Sequence, residues 1–242
     1  PSGEVDLLGA PPGRLWDHIS NEGLAPRLRG VTTLILDEGD RLLDQGFAKQ
    51  VGQIVDCLPT GRQSLCFSAT MPTELASVLA RTLKPGHTVV DCVGAAAESE
   101  TASRVVQSAV LAEMNALYAL AALEVRRELE TADGAGKVVV FLPTANQAQF
   151  ASELFGAMGI KNDALHSRKS QTYRTRVSNA FRDCRQGVIV ASDVAARGVD
   201  YPGVSLVVQV GAPDSREQYV HRTGRTGRAG QAGAAVLFLS DW

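Results

Sequence analysis

The chain has 242 residues, 45% hydrophobic and 21% charged, with 24 Lys and Arg against 26 Asp and Glu for a formal net charge of −2. Such a composition is that of a soluble globular protein with one large or two modest domains and excludes a disordered chain; no apolar run approaches a membrane span, and no secretory signal opens the sequence. The first residue is Pro1, so the sequence reads as the interior of a longer protein, and Cys57, Cys66, Cys92 and Cys184 lack the spacing of a zinc site or a disulfide framework, which fits a reducing compartment.

In chain order, Leu15 and Ile19 share a helical face that stops near Gly23, and Val31 to Leu36 is a short apolar run rich in β-branched residues. Phe47, Val51, Ile54, Val55 and Leu58 return to helical period. Ser64 to Phe67 is a second strand, and Leu75, Val78, Leu79 and Leu83 make a helix closed by Lys84-Pro85-Gly86. Residues 94–104 mix small and polar side chains without periodicity, as a linker does. The pattern restarts with a strand over Val105 to Leu111, a helix to Glu130, a strand over Val138 to Leu142, a helix over Ala145 to Met158 and a short strand near Asp163 to Leu165. A helix from Ser170 to Phe181 and strands over Val188 to Ala191 and Val204 to Val210 follow. This alternation predicts an α/β fold of parallel sheets covered by helices, with domains at 1–93 and 105–242 joined by 94–104, the second complete and the first not.

The near-neutral total charge hides a local excess: residues 161–228 hold 12 basic against 6 acidic side chains, whereas residues 1–104 hold 9 against 13. A phosphate backbone needs such a local patch rather than a basic protein overall.

Ligands of an open parallel sheet gather at the carboxyl ends of its strands. Asp37 follows Thr33-Leu34-Ile35-Leu36 directly, so its carboxylate projects from such an end. There a hard Mg²⁺ bridging nucleotide phosphates takes a carboxylate, often through water, and Glu38 beside it can orient and deprotonate an attacking water. The same string also reads as the acidic start of a helix before Arg41-Leu42-Leu43. Ser68 and Thr70 end a strand ahead of Met71-Pro72 and, taken alone, read equally as helix caps. Beyond Ala191, Ser192 and Asp193 can cap the short helix that follows, whose exposed amides suit a phosphate. Near the end of the chain, His221-Arg222-Thr223-Gly224-Arg225-Thr226-Gly227-Arg228 sets arginines at every third position. Their planar forks stay charged at any working pH, and the two glycines let the backbone approach a ligand, so the segment reads as a phosphate-reading device rather than a solvated basic helix end.

The octapeptide resembles motif VI of superfamily 2 helicases in its DEAD-box form, and its companions stand in that family's order. Asp37-Glu38-Gly39-Asp40 resembles motif II, Ser68-Ala69-Thr70 motif III, Phe141-Leu142-Pro143-Thr144 motif IV, and Ser192-Asp193-Val194-Ala195-Ala196-Arg197-Gly198-Val199-Asp200 motif V. The resemblance spans nearly the whole chain. It implies two RecA-like domains, the first incomplete, and a monomeric ATP-dependent RNA helicase that couples RNA-stimulated ATP hydrolysis with Mg²⁺ to clamping of single-stranded RNA and separation of short duplexes.

By that resemblance Asp37 is the metal-side residue, Glu38 the base, Asp200 the contact to the ATP ribose, and Arg225 and Arg228 the fingers that reach the γ-phosphate across an interdomain cleft. Asp40, Ser68 and Thr70 bond together and transmit nucleotide state, with His221 either coupling the domains or packing. RNA contacts fall to Thr144, Ser192 and Gly198, to Arg174 in the Gln-x-x-Arg element that begins at Gln171, and to Gly13 and Arg14, which resemble the end of a Thr-Pro-Gly-Arg element. Three positions depart from the family. Gly39 stands for alanine and is expected to alter stiffness more than chemistry, Ser192 stands for threonine and keeps the hydroxyl, and Pro11 stands for threonine and removes a donor.

The Gly-rich phosphate loop has one candidate, Gly134-Ala135-Gly136-Lys137, which follows a helix, leads into a strand and has Val138 where Ser or Thr belongs; it reads as a turn. The family's adenine-reading glutamine element is likewise absent. A non-catalytic RNA-binding or adaptor protein that keeps the helicase fold is the alternative reading, while motif II, Ser-Ala-Thr and Ala-Arg-Gly-x-Asp together disfavour a DNA helicase. Tyr201-Pro202-Gly203-Val204, Gln209-Val210-Gly211-Ala212-Pro213 and Arg216-Glu217-Gln218-Tyr219 look most like the organellar, group-II-intron-associated branch and its plant relatives, which leans an intracellular protein toward an organelle.

Overall fold

Helix α1 (Pro12–Asn21) begins at Pro11-Pro12, where no side chain caps the end and the missing proline N–H leaves one donor fewer to satisfy. It is followed by Gly23 at φ 70°, a 3-10 turn (Ala25–Gly30) and strand β1 (Thr33–Leu36). Helices α2 (Gly39–Asp44) and α3 (Ala48–Asp56), strand β2 (Gln63–Cys66) and helix α4 (Leu75–Thr82) follow. The two strands pair in parallel, Leu36 opposite Cys66. Alternation along β1 sends Leu34 and Leu36 into a core with Val51, Val55, Leu75, Val78 and Leu79, and turns Ile35 to the other face, where it is 52% exposed. A parallel sheet is ordinarily covered on both faces; among the described residues, this one is packed on one.

The larger sheet is built from β3 (Val105–Ala112), β4 (Lys137–Leu142), β5 (Asp163–Leu165), β6 (Gly187–Ser192), β7 (Leu206–Val210) and β8 (Gly233–Ser240). All six run parallel in the order β3-β8-β7-β4-β6-β5. The connecting helices are α5 (Leu117–Thr131), α6 (Ala145–Ala157), α7 (Gln171–Asp183) and α8 (Arg216–Thr223). Every residue of β4 is buried. Val138, Val140 and Leu142 cluster with Leu117, Ala121 and Val125 of α5 and with Ala148, Ala151 and Phe155 of α6, whereas Val139 and Phe141 cluster with Val177 and Phe181 of α7. Both faces are therefore covered, which is why these strands read as continuous apolar runs rather than alternating ones.

Thr144, Ser170 and Ser215 cap α6, α7 and α8 by accepting from the amides of Gln147, Tyr173 and Gln218. The elements read from periodicity are present within a few residues of the expected bounds. The 3-10 turn, α2, α8 and β8 are not read that way, and β8 lies inside the sheet between β3 and β7.

This computed structural model describes residues 5–44, 46–68, 71, 75–91, 104–193, 201–228 and 230–240. The chain divides into two units, Pro1–Cys92 and Val93–Trp242; of the linker expected at 94–104, only Arg104 is among the described residues. No helix among them is long and apolar enough to cross a membrane.

Burial makes an energetic contrast. Phe155 is fully buried, so Phe155→Ala is expected to cost about 3–5 kcal/mol in urea unfolding. Ile35→Ala, on the uncovered face, is expected to cost under about 1 kcal/mol in the same measurement.

Candidate functional site

Asp37 leaves the carboxyl end of β1 exposed to solvent, and its Oδ1 accepts from the Glu38 amide at 3.0 Å. Glu38 has φ 51°, the left-handed region that non-glycine residues rarely occupy, and the turn is tied to the end of β2 by two bonds. The Gly39 amide donates to the Phe67 carbonyl at 2.9 Å, and the Asp40 amide donates to the Ser68 hydroxyl at 3.0 Å. Asp40 is buried at 1% exposure. The structure thus brings together Asp37, Glu38, Asp40 and Ser68; Thr70 lies outside the described residues.

Gly39 has a packing reason that the sequence does not display. A Cβ at this position would stand 2.9 Å from Cys66 Sγ, so the sulfur fills the volume an alanine would need. Burial, and then Asp40 and Asp37, push the Cys66 thiol above its ordinary range, consistent with a sulfur seated beside the acidic turn.

In the second unit, Arg222 rather than Arg225 or Arg228 organises the arginine segment. Its Nε and Nη2 donate to the two carboxylate oxygens of Asp193 at 2.8 and 2.6 Å, with the Arg222 side chain 1% exposed. Its Nη1 approaches Gln209 Oε1 at 3.4 Å, its guanidinium lies 5.6 Å from the Phe141 ring centroid, and Gln209 donates to Thr223 Oγ1 at 3.2 Å. Asp193 is therefore an ion-pair partner at the end of β6, a role that the expectation of a helix cap missed. Arg225 is buried, whereas Arg228 is exposed, with its Nε donating to the Gly224 carbonyl at 2.6 Å; His221 is half-buried.

The glycines here also serve packing. Gly227 has φ 70° and a Cβ there would meet Val105 Cγ2 at 2.5 Å, while Thr226 is buried with its hydroxyl on the Val204 carbonyl at 2.5 Å. Gly227 is thus required by its own backbone and by β3, a reason different from the expected approach to a ligand.

Thr144 and Ser192 stand at the carboxyl ends of β4 and β6. Thr144 is the exposed cap of α6, and the Ser192 hydroxyl is buried without a partner. Arg174 sits in the first turns of α7 with its Nε buried and unpartnered, and Gly13 and Arg14 lie in the first turn of α1, Arg14 exposed. Gly198 and Asp200 lie outside the described residues.

Lys137 stands at the amino end of β4, opposite to where ligands of a parallel sheet gather. It is buried, donates from Nζ to the Arg182 carbonyl at 3.0 Å and lies 5.0 Å from the Phe181 ring centroid. Gly134 has φ 73°, so Gly134 to Lys137 forms a turn into a strand and offers no phosphate cradle.

Two family models match the chain: DEAD/DEAH box helicase over residues 2–78 and Helicase conserved C-terminal domain over residues 116–230. DEAD-box ATP-dependent RNA helicase 25 of Arabidopsis thaliana is 44% identical over 238 residues, covering 98% of this chain and 42% of that protein. The chain belongs to the DEAD-box helicase family. DEAD-box ATP-dependent RNA helicase 31 of Oryza sativa subsp. japonica is 45% identical over 241 residues, covering 98% of this chain and 43% of that protein. The DEAD-box chain thus spans less than half the length of these plant relatives. Among solved structures, Mss116p bound to single-stranded RNA and AMP-PNP superposes with a TM-score of 0.77 at 28% identity, covering 95% of this chain and 47% of that one. Dbp5 of S. cerevisiae bound to RNA and ADP BeF3 gives 0.75 at 25% identity, covering 96% and 58%. The parallel-sheet α/β fold is that of these RecA-like DEAD-box helicases.

Two outcomes are expected from this geometry. Asp193→Asn leaves the Arg222 charge buried without its partner and should cost about 3–5 kcal/mol, whereas Arg222→Met combined with Asp193→Leu should recover most of it; thermal unfolding of the single and double variants tests this. Burial, then Lys169 and Arg168, lower the His166 imidazole below its ordinary 6.5. The unfolded chain then binds the proton more readily. The associated stability is present above pH 6.5 and is lost as pH falls through the depressed folded value. His166→Gln should flatten that acid limb in urea unfolding followed downward from neutral pH.

Proposed function

We propose that this chain supplies the motif II to motif VI portion of an ATP-dependent RNA helicase, with residues 1–93 and 105–242 as parts of two RecA-like domains joined by 94–104. The reading is of RNA-stimulated ATP hydrolysis coupled to clamping of single-stranded RNA and opening of short duplexes. The observation that carries it is the Asp37-Glu38 turn, an acidic pair at the carboxyl end of a parallel strand held to the next strand by the Gly39 and Asp40 amides.

Mg²⁺, when bound with ATP, would supply positive charge to offset that of the phosphates. Asp37, an exposed carboxylate at the carboxyl end of β1, would hold the ion. Glu38 accepts the proton of the attacking water, Asp200 holds the ribose, and Arg225 and Arg228 stabilise the charge on the transferring phosphoryl group. Asp40, Ser68 and Thr70 with His221 pass nucleotide state to the RNA contacts, which are Gly13, Arg14, Thr144, Arg174, Ser192 and Gly198. The buried, unpartnered Ser192 hydroxyl supports that assignment, because such a group ordinarily has a partner. The relatives named as RNA helicases and the two solved structures bound to RNA support the substrate class.

Lys137 is packed and cannot serve a phosphate loop, so the 242-residue chain alone is expected to release no phosphate in response to single-stranded RNA in a steady-state assay. In the protein extended to include a phosphate loop, Glu38→Gln should nearly abolish turnover yet retain ATP-dependent RNA capture, since the amide keeps the shape and cannot act as base. Arg228→Ala should lose capture and turnover together, the latter by about 3 kcal/mol. Wild-type turnover by Glu38→Gln would overturn the role of motif II, and a silent Arg228→Ala that of motif VI.

A further inference from the structure

Helix α8 is attached to the large sheet through Tyr219 as well as Arg222. Arg222 meets β6, β7 and β4 through Asp193, Gln209 and Phe141. One turn earlier in the helix, the Tyr219 hydroxyl donates to Gln107 Oε1 in β3 at 2.7 Å. The strand order β3-β8-β7-β4-β6-β5 makes β3 the edge, so the two attachments fall on well-separated strands. An attachment at one side chain lets a helix of eight residues pivot; a second on a distant strand sets its direction.

The chain that follows α8 returns to the same strand. Val105 and Gln107 share one face of β3, and a Cβ at Gly227 would meet Val105 Cγ2 at 2.5 Å. Residues 224–227 therefore run between the Tyr219 attachment before them and the Val105 contact after them. Within this stretch the Arg225 and Thr226 amides donate to the Arg222 and Thr223 carbonyls. Arg225 is buried; Arg228 is exposed and bonds back to the Gly224 carbonyl, so it travels with the segment. Gln107 is exposed and Tyr219 half-buried, so neither is required to fill the core.

We propose that Gln107 and Tyr219 are positioning residues for Arg228. The bond between them sets the direction of α8, and through the short segment that follows it the place at which the Arg228 guanidinium meets the transferring phosphoryl group. It rests on the phosphoryl-transfer reading above. A donor stabilises a transition state only when it is held where charge develops, so a small turn of the helix lowers turnover although the arginine is still present.

Amide hydrogen exchange of the 242-residue chain, followed by NMR, tests the attachment without nucleotide or RNA. Tyr219→Phe keeps the ring and removes the bond, so the Arg225 and Thr226 amides should exchange about fivefold faster, the scale of one neutral hydrogen bond. Val139 and Val140 in β4 should keep wild-type rates. Gln107→Leu should match Tyr219→Phe, and the double variant should be no faster than either. Gln107→Glu, whose carboxylate still accepts from the phenol, should exchange as wild type does. Unchanged exchange at Arg225 and Thr226 in Tyr219→Phe, or an equal rise in β4, overturns the proposal.

RNA-stimulated turnover of the protein extended to include a phosphate loop tests the consequence. Tyr219→Phe should lower kcat about fivefold, and Gln107→Glu should restore what Gln107→Leu loses. In an Arg228→Ala background Tyr219→Phe should cost less than about twofold, because the group it positions is gone. A fivefold loss that persists in full beside Arg228→Ala, or a Tyr219→Phe variant with wild-type turnover, overturns the proposal and leaves the helicase reading standing. An extended wild-type protein without RNA-stimulated turnover overturns the helicase reading itself.

Discussion

The second unit's arginine segment depends on one buried ion pair. Helix α8 has only eight residues, and its sequence, Arg-Glu-Gln-Tyr-Val-His-Arg-Thr, offers little apolar surface to hold it against a sheet. Arg222 does so instead: its partners are Asp193 at the end of β6, Gln209 in β7 and the Phe141 ring in β4, so a single side chain ties the helix to three strands. Two buried charges gain little over an apolar pair of the same volume, because desolvation offsets most of their attraction. What the pair contributes is position. Arg225 and Arg228 follow within two turns of the chain, and their placement is inherited from Arg222.

The first unit solves a comparable problem with backbone amides. Glu38 occupies a strained conformation that costs of order 1–3 kcal/mol, and the Gly39 and Asp40 amides over-determine it through the end of β2. The absent Cβ of Gly39 and the sulfur of Cys66 then form one packing unit: the family's alanine is replaced, and the volume it would take is occupied from the neighbouring strand. This gives the departure at position 39 a physical partner and makes the two positions a coupled choice.

Much of the architecture was readable because β4, β6 and β7, apart from Lys137, Ser192 and Gln209, carry apolar runs and their flanking helices keep a clear period. Asp37 and Ser192 could be placed at strand ends because a short apolar run precedes each, whereas Thr144 was named only through the family resemblance. What was not readable was contact between distant positions. Asp193 and Arg222 are 29 residues apart, and local spacing suggested a helix cap for the first and a ligand contact for the second. Strand β8 starts with Gly233-Ala234-Ala235 directly after a glycine-rich segment, so its composition resembles a loop until the sheet is assembled. Buried arginine, threonine and glutamine in and beside α8 invert the hydropathy on which periodicity relies, and no pattern in a single chain reveals that Gly227 is kept small by Val105.

The strand order also sets a timetable. Strand β3 is the first of its sheet to be synthesised, yet its hydrogen-bonding partner is β8, the last, more than a hundred residues later. At ribosomal rates of roughly 5–20 residues per second, β3 waits about ten seconds with Val106 and Leu111 unpaired. With no antiparallel hairpin in the sheet to nucleate locally, closure is dominated by long-range contacts and is correspondingly slow. During that interval a nascent chain presents a free, partly apolar edge to its neighbours, which makes early release or crowding on a polysome the moment of greatest aggregation risk for this fold.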